Sequence, residues 1–257
     1  MRKQLLRWVL MGVMLMARGL PDDSNVVKEG SVYSLDDMAE LAVRLGSPVR
    51  YVRYGDVVWM DSFEHGKNAW DEALYGADAT WGLDNSHSLT GGMSLRLDSG
   101  ILNEAGVKVV TYHAPLVSDV IGVHWAFSIG AMTNRIRFYI IPYAVTVSRN
   151  FRLEYVVATE KFQVLDDTVG DVEVTPALPL EHGALLFHHV KLIINQSTGE
   201  YQRLIYNTVS YPLTGNYGDV GAGVADPRLD VAFQVRNDTV GHTEVWLDDV
   251  ILTINER

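Results

Sequence analysis

Two apolar runs set the pattern of this chain. Phe187–Asn195 and Glu200–Asn207 are each of strand length, with Gln196-Ser197-Thr198-Gly199 between them. In the first run His188, Val190, Leu192 and Ile194 share one face; Phe187, His189, Lys191, Ile193 and Asn195 share the other, a period of two. The short polar linker holds a glycine that can take positive φ, so the pair predicts a β-hairpin. A lone hairpin is marginal in water and needs partners. Strand-like runs at Val57–Phe63, Ser94–Asp98, Val107–His113, Gly122–Ile129, Arg135–Ile141, Phe151–Val157, Leu229–Arg236 and Glu244–Ile254 supply them. Phe162–Val164 and Asp171–Val174 read as a smaller pair. Roughly ten to twelve strands at short spacing, with turn signals and no βα alternation, predict an antiparallel sandwich or barrel. Asp171–Gly183 and Gly215–Pro227 read as loops, and so does Glu64–His87, which carries Trp70, Tyr75 and Trp81. Loops of that length are functional more often than short turns are.

The first 56 residues follow a different pattern. Leu5, Leu6, Val9, Leu10, Val13, Met14 and Met16 fit a helix that is apolar on most sides, ended by Gly19-Leu20-Pro21. A second short helix starts at Ser34 as N-cap, with Asp36 and Asp37 in its first turn, and stops at Gly46 and Pro48. Three positive charges in Met1–Arg7 before the apolar Trp8–Ala17 also match the layout of a secretory signal. The apolar stretch is too short for a transmembrane span, which takes about 20 residues. It is read here as a retained arm that packs on its own domain or on a neighbouring subunit. The expected domains are 1–56, an arm with two short helices, and 57–257, a β-sandwich.

Composition narrows the function. The 257 residues carry a formal net charge of −11. That excludes phosphate-backbone binding as the main task, which needs clustered Lys and Arg. With no cysteine there is no disulfide framework and no thiolate chemistry. Glycoside hydrolysis on such a fold needs two carboxylates about 5–9.5 Å apart. The Glu-x-Asp-x-x-Glu strand run of hydrolases on this fold is missing. His188 and His189 point to opposite strand faces and are poorly placed to share one metal. Trp70, Tyr75 and Trp81 either stack on sugar rings or plug the end of the core.

Asp61-Ser62-Phe63-Glu64, then Trp70, then Ser94-Leu95-Arg96-Leu97 resembles the opening of jelly-roll carbohydrate-binding modules. Phe187–Leu192 with Ser197–Tyr201 is similar to the penultimate hairpins of concanavalin A-like and laminin-G-like domains, and Val245–Val250 resembles their closing strand. The combined layout also resembles phage-borne proteins in which a sandwich hangs on a helical arm. The resemblance implies an all-β, antiparallel jelly-roll β-sandwich with a short helical N-terminal extension. It also implies a structural calcium between the first and last strands, with Glu64 and Asp249 at the matching positions and Asp61 as a third ligand. Carboxylates from both ends of the chain plus carbonyls suit calcium, which takes six to eight oxygens.

The reading that follows is of a non-enzymatic structural subunit of a larger assembly, a virion, tail or extracellular filament. Its partners are other copies of itself or other subunits. It is joined through the arm, is located in a virion or outside the cell, and needs neither nucleic acid nor a membrane span. The alternative is a secreted or surface glycan-binding protein that uses Trp70, Tyr75 and Trp81. Burying each apolar side chain of the arm is worth about 1.5–3 kcal/mol before entropy is charged. If the arm joins subunits, Leu6→Asp with Leu10→Asp yields soluble, folded, unassembled protein; size-exclusion chromatography with light scattering reads the outcome.

Overall fold

The computed structural model describes residues 55–132 and 134–256. The expected arm, with the oligomerisation residues expected from Leu5 to Met16 and the expected helical extension, lies outside the described residues. Among the described residues no helix is long and apolar enough to cross a membrane.

Sixteen strands form two sheets. They are β1 (Asp56–Asp61), β2 (Asp71–Tyr75), β3 (Thr80–Asp84), β4 (Ser94–Asp98), β5 (Gly106–His113), β6 (Val120–Ala131), β7 (Arg135–Tyr143) and β8 (Val147–Val156). Then follow β9 (Lys161–Asp166), β10 (Gly170–Glu173), β11 (Gly183–Asn195), β12 (Glu200–Tyr206), β13 (Val209–Pro212), β14 (Asp219–Ala222), β15 (Arg228–Arg236) and β16 (Glu244–Ile254). Sheet I runs β13-β12-β11-β6-β16-β4-β3, and β1 also pairs with β16. Sheet II runs β10-β9-β8-β7-β15-β5-β2, and β14 pairs with β8. Neighbours are antiparallel throughout. The two sheets make an all-β sandwich with one core between them.

The predicted hairpin is β11–β12. Asn195 closes it by accepting the N–H groups of Ser197 and Thr198 at 3.0 Å, and Gly199 takes φ +80°. Val190, Leu192 and Ile194 face the core, paired with Trp125, Val123 and Ile121 of β6. Beyond them an aromatic cluster ties the two sheets together. Phe138 of β7 lies 5.2 Å from Trp125, 5.5 Å from Phe127 and 5.2 Å from Phe233 of β15, ring centre to ring centre. Such pairs add roughly 0.5–1.5 kcal/mol each to area burial.

Three expected loops contain strands. The Glu64–His87 stretch holds β2 and β3, and Gly215–Pro227 holds β14. The supposed loop Asp171–Gly183 begins within β10, which pairs with β9 in the register Val172↔Val164. That is the smaller pair the sequence suggests. β2 is exposed at every position, so no alternation marks it.

β16 is the pivot of sheet I. Its first half, Glu244–Leu247, pairs with β4; its second, Val250–Ile254, pairs with β1. Between them the register on β6 shifts, and Asp249 takes φ +47°. This bulge lets one strand exchange neighbours on one side while keeping β6 on the other.

Leu192 is fully buried. Leu192→Ala should cost about 2–5 kcal/mol, the range for large-to-small core changes, read by urea melts. A loss under about 1 kcal/mol would contradict its core placement.

Candidate functional site

The β16 bulge gathers the carboxylates. Asp248 Oδ2 accepts the N–H groups of Leu89 at 2.8 Å and Thr90 at 3.3 Å, and its Oδ1 accepts the Asp249 N–H at 2.8 Å. The Thr90 hydroxyl sits 2.9 and 3.0 Å from the two Asp249 oxygens. Glu64 Oε1 accepts from Gly92 at 2.7 Å and Met93 at 2.8 Å. Asp248 and Asp249 thus clip the 89–93 loop to the bulge, and Glu64 ties the same loop to the segment after β1. Asp61 goes elsewhere: its oxygens accept the Phe63 N–H and the Trp70 indole N–H, both at 2.8 Å. The expected calcium set of Asp61, Glu64 and Asp249 is therefore not one cage. Among the described residues no group of three or more His, Asp or Glu is placed to hold a metal ion. Asp61, one oxygen of Glu64 and the Asp249 carboxylate each accept protein N–H or O–H donors.

The three aromatics separate. Trp70 is 4% exposed and belongs to the core beside Phe63, so it offers no platform. Its indole N–H is held by Asp61, which accounts for burial of a polar ring. Tyr75 lies at the end of β2 and Trp81 in β3, edge strands of different sheets. Lys67 covers the Trp81 ring at 3.6 Å, and Arg236 lies 5.8 Å from the Tyr75 ring. His188 and His189 do face opposite ways. His188 Nδ1 is 2.9 Å from the Tyr206 hydroxyl, while His189 stacks on His124.

A more developed constellation lies on the outer face of sheet II. Because β7, β15 and β5 alternate, their outward residues form a grid whose register is fixed by pairing. Across these strands one row is Arg137, Gln234 and Lys108; the next is Tyr139, Ala232 and Val110; then Ile141, Asp230 and Tyr112; then Tyr143 and Arg228. Ala232, Tyr139 and Ile141 form a small apolar cluster outside the main core, with Val110 and Tyr143 against it. Its floor is the buried methyl of Ala232, so a shallow trough runs between larger side chains.

Polar groups border that trough. The Tyr139 hydroxyl donates to Gln234 Oε1 at 2.8 Å. Arg228 Nε donates to Asp230 Oδ1 at 2.7 Å, and its guanidinium lies 5.1 and 5.0 Å from the rings of Tyr112 and Tyr143. Burial pushes the phenol pKa values of Tyr139 and Tyr143 up, so both remain neutral hydroxyls near pH 7. Tyr112 is 48% exposed in mid-sheet. Beside the trough, buried Glu154 takes Arg135 at 2.5 Å and Arg137 at 3.0 Å. At the end of the grid, Tyr143 and Arg228 also line a cleft of about 520 Å³ with Pro115, Leu116, Pro142 and Gln196. That size lies within the roughly 300–1,000 Å³ typical of ligand pockets.

Sequence reasoning missed this face. The signal was present in each strand, as in Arg228-Leu-Asp230-Val-Ala232-Phe-Gln234-Val-Arg236. What it lacked was the knowledge that β7, β15 and β5 are neighbours.

No protein-family model and no curated protein matches the chain in sequence. Solved structures do match in fold. A protein of unknown function with a galectin-like fold from Bacillus subtilis aligns with TM-score 0.52 at 13% identity, over 79% of this chain and 98% of that one. The cellulose-induced protein Cip1 aligns with TM-score 0.52 at 15% identity, over 76% and 96%. A carbohydrate esterase from the Shiga toxin-encoding bacteriophage phi24B aligns with TM-score 0.51 at 15% identity, over 78% and 99%. The chain spans only 19% of a sialidase that it also resembles. The fold is thus a galectin-like jelly-roll β-sandwich.

The carboxylate clip has a pH signature. Burial pushes Asp248 up to about 6, its three N–H donors pull the other way, and the charge of Glu64 adds to the rise. A pKa raised on folding means that the native state binds the proton more tightly. Stability from this group is therefore full below the unfolded value, about 3.9, and is lost as pH rises through about 6. The buried histidines His113, His124 and His188, whose pKa values burial lowers, work in the opposite sense. Comparison with Asp248→Asn isolates the carboxyl. Between pH 7.5 and 4.5 the stability difference should move in favour of the wild type by about 2 kcal/mol, at about 1.4 kcal/mol per pKa unit. Parallel stability curves from chemical denaturation would show that Asp248 does not titrate in this window.

Proposed function

We propose that this protein binds a glycan on the outer face of sheet II, over the trough floored by Ala232. The observation that carries the reading is the pairing of Tyr112 and Tyr143 across Arg228–Asp230 beside that trough. A pyranose ring has an apolar face rimmed by hydroxyls, each both donor and acceptor. Tyrosine rings and an alanine floor suit the apolar face. Arginine, aspartate, glutamine and tyrosine hydroxyl supply directional partners for the rim. The cleft beside Tyr143 and Arg228 extends the same surface, so more than one sugar unit can be accommodated.

The fold likeness supports binding more than it supports a structural subunit. The motive for the subunit reading is the apolar arm, which lies outside the described residues. The proposal assigns binding and no reaction.

A glycan array followed by calorimetry tests it. Tyr112→Ala removes a half-exposed ring that belongs to neither apolar cluster. It should weaken binding at least about tenfold, or 1.4 kcal/mol, while melting stays close to the wild type. Wild-type protein that binds nothing on the array, or a Tyr112→Ala variant of undiminished affinity, would overturn the reading.

A further inference from the structure

The cations on the outer face of sheet II are not equivalent. Arg135, Arg137 and Arg152 gather on Glu154, Arg228 pairs with Asp230, and Arg236 pairs with Glu104. Lys108 differs. It is half-buried in the middle of β5, its Nζ lies 4.6 Å above the Tyr139 ring, and among the described residues it forms no ion pair. The nearest compensating carboxylate, Asp230, is committed to Arg228. A desolvated cation with only a ring quadrupole beneath it is incompletely compensated.

Its cross-strand neighbour is Gln234, whose own neighbour on the far side is Arg137. Directly paired side chains on such strands have Cβ atoms about 4.5–5.5 Å apart. The Gln234 carbonyl oxygen is taken by the Tyr139 hydroxyl, which leaves its Nε2 as a donor. This end of the trough therefore presents N–H groups and positive charge. The other end, with Asp230 and the tyrosine hydroxyls, presents acceptors as well. Between them lies Ala232, the smallest side chain of the grid.

From this asymmetry we infer that the glycan is acidic, a pyranose carrying a carboxylate, and that the carboxylate sits between Lys108 Nζ and Gln234 Nε2. The inference rests on the glycan-binding reading of the same face. A ligand carboxylate completes the one cation here that the protein leaves without an anionic partner, and charge-assisted hydrogen bonds of this kind are about twice as strong as neutral ones. The chain-wide charge of −11 repels a polyanion at long range. Recognition is therefore a short-range property of this row, and moderate salt should not abolish it. Burial lowers the Lys108 pKa, and a bound carboxylate would restore it.

Uronates and sialates share this chemistry, and calorimetry on the full chain separates them. The probes are hexamers of glucuronate and of galacturonate, sialyllactose, and the carboxyl-reduced glucuronate hexamer as the neutral counterpart. At least one acidic probe should bind tenfold or more tightly than the neutral counterpart. Lys108→Met should bring that ratio close to one with the melting temperature retained. Lys108→Arg, which keeps the charge, should preserve most of it. Equal affinity for acidic and neutral forms, or a preference that survives in Lys108→Met, overturns this inference and leaves the glycan reading standing. Absence of binding to every probe and to the array overturns both.

Discussion

The outer face of sheet II is held in place by what lies beneath it. On β7, β15 and β5 the inward residues Ile136, Phe138, Ile140, Val231, Phe233, Val235, Val107 and Val109 are all fully buried. Side chains alternate with a period of two, so a slip of one residue would exchange the two faces. Such a slip on β15 would drive Asp230, Gln234 and Arg236 into an aromatic core and expose Phe233. Burying unpaired charge costs several kcal/mol per group, and loss of Phe233 packing would add more. The Phe138–Phe233 contact thus fixes the register, and the register fixes which polar groups meet on the outside. The outer face is a by-product of core packing in the useful sense that it needs no separate device to position it.

The same economy does not hold at the β16 bulge. There the backbone bends away from a regular ladder, and carboxylates do the positioning. Asp248 and Asp249 are fully buried, yet each is engaged by the 89–93 loop. Removing one partner of a buried polar contact costs about 1–3 kcal/mol, because the remaining group stays desolvated. Loop and bulge therefore stabilise one another: the loop satisfies the carboxylates, and the carboxylates supply acceptors for its N–H groups. Reciprocal hydrogen bonding thus joins the last strand to the loop that precedes β4.

Much of the fold was legible. The hairpin at 187–207 could be read from alternation and one glycine, and the sandwich from the spacing of strands. β2 could not, since an edge strand exposed on both sides has no alternation to reveal it. Trp70 stood open between platform and core plug, because an aromatic in a loop says nothing about which way it turns; Asp61, nine residues earlier, supplies the acceptor that takes it inside. Glu64 and Asp249 were assigned to a calcium site through family resemblance. Their contacts with the 89–93 loop, through the Gly92 and Met93 N–H groups and the Thr90 hydroxyl, were not legible, because the course of a loop leaves no mark in a sequence. Lys108, Gln234 and Arg137 became a row only when strand order placed three distant segments side by side.

The place of β16 has a consequence for how the molecule is made. Glu244–Ile254 is the last strand among the described residues and lies inside sheet I, between β6 and the pair β4 and β1. Until those eleven residues have been synthesised, β1 has no partner, β4 has only β3, and β6 has one open edge. A nascent chain can assemble β11, β12 and β13 beside β6, but it cannot close the sheet. Joining Asp56 to Ile254 spans nearly the whole described chain, and loop closure of that length slows folding. The growing polypeptide must therefore keep exposed strand edges from pairing with other chains until its final strand arrives.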